Sequence, residues 1–133
     1  MHLFTYGSLM YPQVWSRVMS NTHPSRAATI TGYSRRQLPG EVYPALVPDA
    51  DSSVNGVLYS GLTQAEFARL DLFEGKDYQR ISVLAVPETG TEVETFVYVY
   101  AHPEHVSEFL WDPARFEAEG LQHFLDTYEG WSA

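Results

Sequence analysis

The sequence predicts a mixed α+β domain, and three observations support this class. About six short apolar stretches have the spacing of strands, and only two or three segments have the spacing of amphipathic helices. Strands and helices do not alternate regularly along the chain, which disfavours a doubly wound parallel sheet. The 133 residues fit one domain, residues 1–133, that is long enough to bury a core.

The amino-terminal third begins with a strand and a short helix. Residues 2–6 alternate between two faces, with Leu3 and Thr5 on one and Phe4 and Tyr6 on the other. Pro12 suits the first turn of a helix. The apolar face of that helix would be formed by Val14, Trp15, Val18 and Met19. A strand is predicted over residues 28–33, and the Pro- and Gly-rich stretch 35–48 looks extended but irregular.

The middle of the chain predicts a strand over residues 54–60 and then the clearest helix, over residues 62–75. Thr63 is followed three residues later by Glu66, the spacing of a capping box. Gly75 is suited to end the helix. The buried face would be formed by Phe67, Leu70 and Phe73.

The carboxyl-terminal part predicts a hairpin and a last helix. Strands over 81–86 and 93–101 are joined by the turn-forming sequence PETGTE. The helix runs from about residue 113 to 128 and would bury Leu121, Phe124, Leu125 and Tyr128.

Composition excludes several classes of function. The chain has no cysteine, so disulfides, thiolate catalysis and zinc–thiolate sites are excluded, and a cytoplasmic location is favoured. The net charge of −9 argues against binding to nucleic acid, and neither a basic amphipathic stretch nor a long apolar run suggests a membrane partner. No signal peptide is expected at the amino terminus.

Gly7 and Ser8 form the first candidate site, because they follow the first strand directly. Glycine permits a positive φ angle, and a chain that turns there can aim successive N–H groups at one anion. The helix that begins near Pro12 would add its dipole. The alternative is an ordinary connection between a strand and a helix.

Glu74 is the second candidate, at the carboxyl end of the predicted central helix. The negative end of the helix dipole and desolvation by Leu72 and Phe73 would both raise its pKa, and Asp71 three residues earlier would add to this. Such a glutamate can act as a base near neutral pH. The alternative is a solvated glutamate at a helix end.

The residues around Glu74 are compatible with a catalytic base and with a solvated glutamate. If Glu74 is solvated at the helix end, Lys76 or Arg80 would pair with it. Tyr78 and Arg80 follow closely enough to orient it or to line a pocket. Tyr98 and Tyr100 share one face of a strand, where they would belong to the core or to a pocket wall.

Taken together, several stretches resemble the AIG2-like branch of the gamma-glutamylcyclotransferase family. The resemblance covers nearly the whole chain in order, and the pair YGSL and LDLFEG is its most specific part. The stretches are FTYGSLM (4–10), GYSRRQLPGEVYPALVP (32–48), VNGVLYSGL (54–62), LDLFEGKDYQR (70–80), TFVYVY (95–100) and the closing helix (111–130).

The resemblance implies a compact, partly closed mixed β-barrel with flanking helices and one pocket. It implies that backbone amides of Tyr6, Gly7, Ser8 and Leu9 hold the α-carboxylate of the substrate, with Met10 at the border of this loop. It also implies that Glu74 is the general acid and base. Tyr78, Arg80 and Tyr100 are taken as supporting residues.

The implied reaction is the cyclisation of a small-molecule γ-glutamyl compound to 5-oxoproline with release of an amine, without a metal or a cofactor. Glutathione is not favoured, because glutathione-specific relatives have a different loop continuation. Two alternatives stay open: other acyl-transfer chemistry on a γ-glutamyl metabolite, and a sensor that binds a carboxylate without turnover. A weak pKa shift on Glu74, or a pocket sealed by aromatic side chains, would favour the sensor. Trp111 and Trp131 look exposed, so a monomer and a homodimer are both compatible with the sequence.

Overall fold

The sheet of this protein is a closed five-stranded barrel, as seen in a computed structural model that describes residues 1–128. Its strands are β1 (Leu3–Thr5), β2 (Ser25–Gln37), β3 (Pro44–Tyr59), β4 (Tyr78–Pro87) and β5 (Val93–Tyr100). They follow the order β1-β3-β2-β4-β5, and the barrel closes through a parallel contact of β1 with β5 at Leu3 and Phe96. The expected α+β barrel is confirmed, with five strands instead of about six and with full closure.

The longest hairpin is formed by β2 and β3, and it corrects the prediction that residues 35–48 are irregular. β2 continues to Gln37, which pairs with Pro44 at the start of β3, so only residues 38–43 form the connection. The pairing register shifts around Gly32, whose φ angle is +86°. A glycine there lets the strand bend without steric cost.

Two helices pack on the barrel as predicted. They are α1 (Pro12–Val18) and α2 (Gln64–Glu74). The capping box is present, because the Glu66 N–H donates to Thr63 Oγ1 at 3.2 Å and the Thr63 N–H donates to Glu66 Oε1 at 3.0 Å. Gly75 ends α2 with a φ angle of +82°. The predicted apolar faces of both helices are buried.

The terminal helix differs from the prediction in its middle. It consists of α3 (Pro113–Arg115), a π-helical turn (Phe116–Gly120) and α4 (Leu121–Thr127). Phe116 and Phe124 are its buried aromatic residues, whereas Leu121 and Leu125 are only partly buried. No helix within residues 1–128 is long and apolar enough to cross a membrane.

Trp111 is buried, whereas the sequence analysis expected it to be exposed. It therefore gives no support to a dimer. It keeps only 7% of its surface accessible, and its Nε1–H donates to the Val42 carbonyl at 2.8 Å. Trp131 lies outside the described residues. The exposed apolar side chains of this region are those of Phe109 and Leu110.

Residues 107–111 run along the edge of β2 and are called the strap. The Gln37 N–H donates to the Phe109 carbonyl at 2.9 Å, the Ser107 N–H donates to the Gln37 carbonyl at 2.9 Å, and the Trp111 N–H donates to the Arg35 carbonyl at 3.0 Å. Backbone hydrogen bonds therefore fix the strap to the end of β2.

The core has two main parts, separated by the wall of the barrel. One fills the barrel and contains Phe4, Tyr6 and Leu58, and the other lies between the barrel and the helices and contains Leu3, Phe67 and Phe124. The alternation predicted for β1 is confirmed, since Leu3 faces the helices and Phe4 faces the interior.

Candidate active site

The loop after β1 and the last residue of α2 meet at one narrow cleft of about 30 Å³. β1 brings Gly7 to this cleft, and α2 ends at the Gly75 stop so that Glu74 lines the same cleft. The lining includes Tyr6, Gly7, Ser8, Leu9, Tyr43, Pro44, Phe73, Glu74, Tyr78, Tyr98, Phe124 and Tyr128. The fold therefore joins the two stretches that the sequence analysis singled out.

The Glu74 carboxyl group is enclosed by the protein, although the residue as a whole keeps some contact with solvent. Burial, and to a lesser extent the charge of Asp71, raises the pKa of Glu74 to about 8. The predicted upward pKa shift is thus confirmed. Leu72 is not among its causes, because 61% of that side chain is exposed.

Glu74 is not paired with a basic residue in the described part of the chain. Arg80 pairs instead with Asp71, with Nε 3.1 Å from Oδ1 and Nη2 3.3 Å from Oδ2. The Tyr98 hydroxyl also donates to Asp71 Oδ1, at 2.7 Å. Asp71 is thereby held in place and partly neutralised, and none of the described residues supplies a counter-ion to Glu74.

Gly7 has a φ angle of −132°, so the expectation of a positive φ is wrong. A side chain is excluded here for another reason: a Cβ atom on Gly7 would lie 2.8 Å from both Cδ and Cγ of Pro44. The requirement for glycine comes from the close approach of β3 and not from the backbone conformation.

The loop from Gly7 presents N–H groups that have no acceptor among residues 1–128. Residues Ser8–Met10 form a 3₁₀ turn in which the Met10 N–H donates to the Gly7 carbonyl at 3.0 Å. Within residues 1–128, no acceptor is found for the N–H groups of Gly7, Ser8 and Leu9. Unpaired N–H groups at the start of a helical turn can bind an anion.

An aromatic wall, defined as Tyr43, Phe73, Phe124 and Tyr128, narrows the cleft. The rings of Phe124 and Tyr128 stack with centroids 4.5 Å apart, and Tyr43 lies edge-on to both, at 5.9 and 5.8 Å. The Tyr128 hydroxyl donates to the Phe73 carbonyl at 2.5 Å. The sequence analysis assigned Phe73, Phe124 and Tyr128 to buried helix faces and did not single out Tyr43.

The structure separates the predicted supporting residues. Tyr78 lines the cleft, and its hydroxyl donates to the Pro44 carbonyl at 2.7 Å. Tyr100 packs against the outer side of Tyr78, with ring centroids 5.3 Å apart. Met10 belongs to the helix-side core, and Arg80 lies over the rings of Phe67 and Phe96, so neither of them lines the cleft.

Arg35 lies next to the Gly7 loop and, like Tyr43, was not singled out by sequence reasoning. Its Nη1 donates to the carbonyl oxygen of Tyr6 at 2.8 Å, directly before the Gly7 loop. The only sequence signal was a pair of arginines in a stretch that seemed irregular, where no strand register could be assigned.

This small closed barrel has one cleft lined by a buried glutamate and by a loop whose N–H groups are unpaired within residues 1–128, which is the arrangement expected from the sequence resemblance. Comparison with known proteins agrees. Residues 3–117 match the family model described as Gamma-glutamyl cyclotransferase, AIG2-like. The chain belongs to this family.

Similar proteins include several from Arabidopsis thaliana. Protein AIG2 C of that plant is 32% identical over 131 residues, which cover 96% of this chain and 78% of the relative. A solution structure of a protein from the same plant is 29% identical, with a TM-score of 0.75 over 96% of this chain and 78% of that one. A protein named Gamma-glutamyl cyclotransferase shares the fold at 16% identity, with a TM-score of 0.68 over 96% and 87% of the two chains.

Proposed function

We propose that this protein is a gamma-glutamylcyclotransferase that converts a small-molecule γ-glutamyl amide into 5-oxoproline and a free amine. The observation that carries the proposal is Glu74, a carboxyl group with a pKa of about 8 and no counter-ion in the described chain, which lines one cleft together with the Gly7 loop. The chain has no cysteine, and we place the reaction in the cytoplasm.

The substrate would be held by its glutamyl half. The free N–H groups of Gly7, Ser8 and Leu9 would bind the α-carboxylate, which places the α-amine beside the γ-carbonyl carbon. Holding two groups of one molecule in this geometry can contribute about 7–11 kcal/mol at best to lowering the barrier. The scheme uses one chain and therefore works in a monomer or in a homodimer.

Glu74 would move the proton. As the α-nitrogen forms its bond to the γ-carbonyl carbon, the carboxylate of Glu74 takes a proton from that nitrogen. As the bond from the same carbon to the leaving nitrogen breaks, Glu74 returns the proton to the departing amine. A group with a pKa of about 8 can do both near neutral pH, because neither protonation state is strongly favoured.

The second candidate function is binding without turnover, and the aromatic wall favours it. A cleft of about 30 Å³ holds about one water molecule, so the wall must move before a γ-glutamyl compound can enter. A protein that only senses a carboxylate would not need a glutamate with a raised pKa. For this reason we rank cyclisation first, and other acyl-transfer chemistry on the same γ-glutamyl group behind it.

The test is an assay of 5-oxoproline by mass spectrometry after incubation with a panel of γ-glutamyl amines and γ-glutamyl amino acids. Wild type and Glu88→Gln, which removes an exposed carboxylate, should form product, and Glu74→Gln should not. Glu74→Gln should still bind 5-oxoproline, because the amide keeps the shape of the side chain. Undiminished turnover by Glu74→Gln would remove Glu74 from the mechanism. Binding without product from any substrate would support the sensor.

A further inference from the structure

Arg35 contacts both the strap and the residue directly before the Gly7 loop. Its Nη1 donates to the Tyr6 carbonyl at 2.8 Å and, more weakly, to the Asn55 carbonyl at 3.4 Å. Its guanidinium carbon lies 5.1 Å from the ring centroid of Trp111, within cation–π distance. The Trp111 N–H donates in turn to the Arg35 carbonyl at 3.0 Å, so the strap fixes the arginine at both ends.

The hydrogen bond from Arg35 to the Tyr6 carbonyl fixes the orientation of the peptide group between Tyr6 and Gly7. A trans peptide is planar, and its C=O and N–H point in opposite directions. When Arg35 holds the Tyr6 carbonyl, the N–H of Gly7 must point away from Arg35. Since Tyr6 and Gly7 line the cleft and the Gly7 N–H has no acceptor within residues 1–128, this N–H is available to a ligand.

Arg35 also brings positive charge to a chain with a net charge of −9. No salt bridge to its guanidinium is found in the described part of the chain, whereas the neighbouring Arg36 pairs with Asp49 at 3.2 Å. The charge of Asp112 acts on this half-buried cation without forming a salt bridge, so part of the field of Arg35 remains for other groups nearby. An anion bound to the other side of the Tyr6–Gly7 peptide would be such a group.

We propose that Arg35 is a positioning residue that aims the Gly7 N–H into the cleft and places a positive charge behind the bound carboxylate. The identity of the ligand rests on the proposed function, but the orientation of the peptide does not. Arg35 and Arg36, two of the three arginines of β2, make a matched pair for the test, because Arg35→Gln and Arg36→Gln remove the same charge from adjacent positions.

The first measurement is the residual dipolar coupling of the Gly7 N–H by NMR, without any ligand. Arg35→Gln should change this coupling, and Arg36→Gln should leave it at the wild-type value. The second measurement is the affinity for 5-oxoproline, followed by NMR titration. Arg35→Gln should weaken binding about tenfold or more, since a hydrogen bond from a charged donor and its field are lost. Arg35→Lys should recover part of the affinity, because it keeps the charge.

Turnover gives a third readout. Arg35→Gln should raise KM and leave kcat nearly unchanged, since Arg35 touches the loop and not the reacting atoms. The proposal is overturned if Arg35→Gln matches Arg36→Gln in both the Gly7 coupling and the affinity. If Arg35→Gln does not fold, Arg35→Lys must show an altered Gly7 coupling for the proposal to stand. If wild type fails to bind 5-oxoproline, the proposed function loses its ligand, and the Gly7 coupling alone decides the role of Arg35.

Discussion

Replacing Glu74 with glutamine should make the fold less sensitive to rising pH. In the unfolded chain this carboxyl has a pKa near 4.5, and in the fold burial raises it to about 8. Between these values the unfolded chain has released the proton and the folded chain still holds it. Folding stability contributed by this group is therefore fully present below pH 4.5 and is lost as the pH rises toward 8.

The size of the effect follows from the two pKa values. At about 1.4 kcal/mol per pH unit, the difference between 4.5 and about 8 corresponds to about 5 kcal/mol. The unfolded carboxyl is already mostly ionised at pH 5, so about 3.5 kcal/mol of this loss falls between pH 5 and pH 8. Glutamine does not titrate, and the variant should not show this loss.

The assay is urea unfolding at pH 5 and at pH 8, followed by the fluorescence of the buried Trp15 and Trp111. The free energy of unfolding of wild type should fall more between the two pH values than that of Glu74→Gln, by about 3.5 kcal/mol. Glu88→Gln removes an exposed carboxylate and should follow wild type. Equal pH dependence of wild type and Glu74→Gln would refute the idea that burial holds Glu74 in its acid form.

Three further predictions concern the surroundings of the cleft. Gly7→Ala should lower the free energy of unfolding by about 1–3 kcal/mol in urea unfolding, because the new Cβ would lie 2.8 Å from Pro44; unchanged stability would contradict the close approach. Thr63→Ala should cost about 1 kcal/mol in the same assay through loss of the helix cap, and a serine at that position should restore it. Asp71→Asn should move the pKa of Glu74 downward in the pH profile of kcat/KM, since the aspartate charge opposes ionisation of Glu74; an unshifted profile would exclude Asp71 from that role.

Features governed by local sequence were predictable in this protein. The capping box of Thr63 and the Gly75 stop depend on residues a few positions apart, and both bounds of α2 follow from them. The β4–β5 hairpin is equally local. Residues 35–48 were misjudged because long-range pairing of β2 with β3 overrides the local preferences of proline and glycine. Pro39 and Gly40 lie in the short connection, whereas Pro44 and Pro48 lie within β3.

The site was predictable only in part, because its walls come from distant segments. The raised pKa of Glu74 was expected from its place at a helix end and from desolvation by neighbouring apolar residues, but Tyr43, Phe124 and Tyr128 of the aromatic wall come from segments that are distant in sequence. The role of glycine at position 7 depends on Pro44, and Arg35 reaches the loop only through the strand register. No pattern of neighbouring residues encodes these contacts.

The strap has a consequence for self-association. The end of β2, residues 33–37, pairs with β3 on one side, and no other barrel strand within residues 1–128 pairs with it on the other side. Such an edge can pair with a strand from another molecule. The strap, residues 107–111, occupies this edge through its backbone hydrogen bonds to Arg35 and Gln37. Deleting residues within the strap would expose the edge beside the apolar Phe109 and Leu110, and domain-swapped dimers or fibrillar aggregates would then form by strand addition.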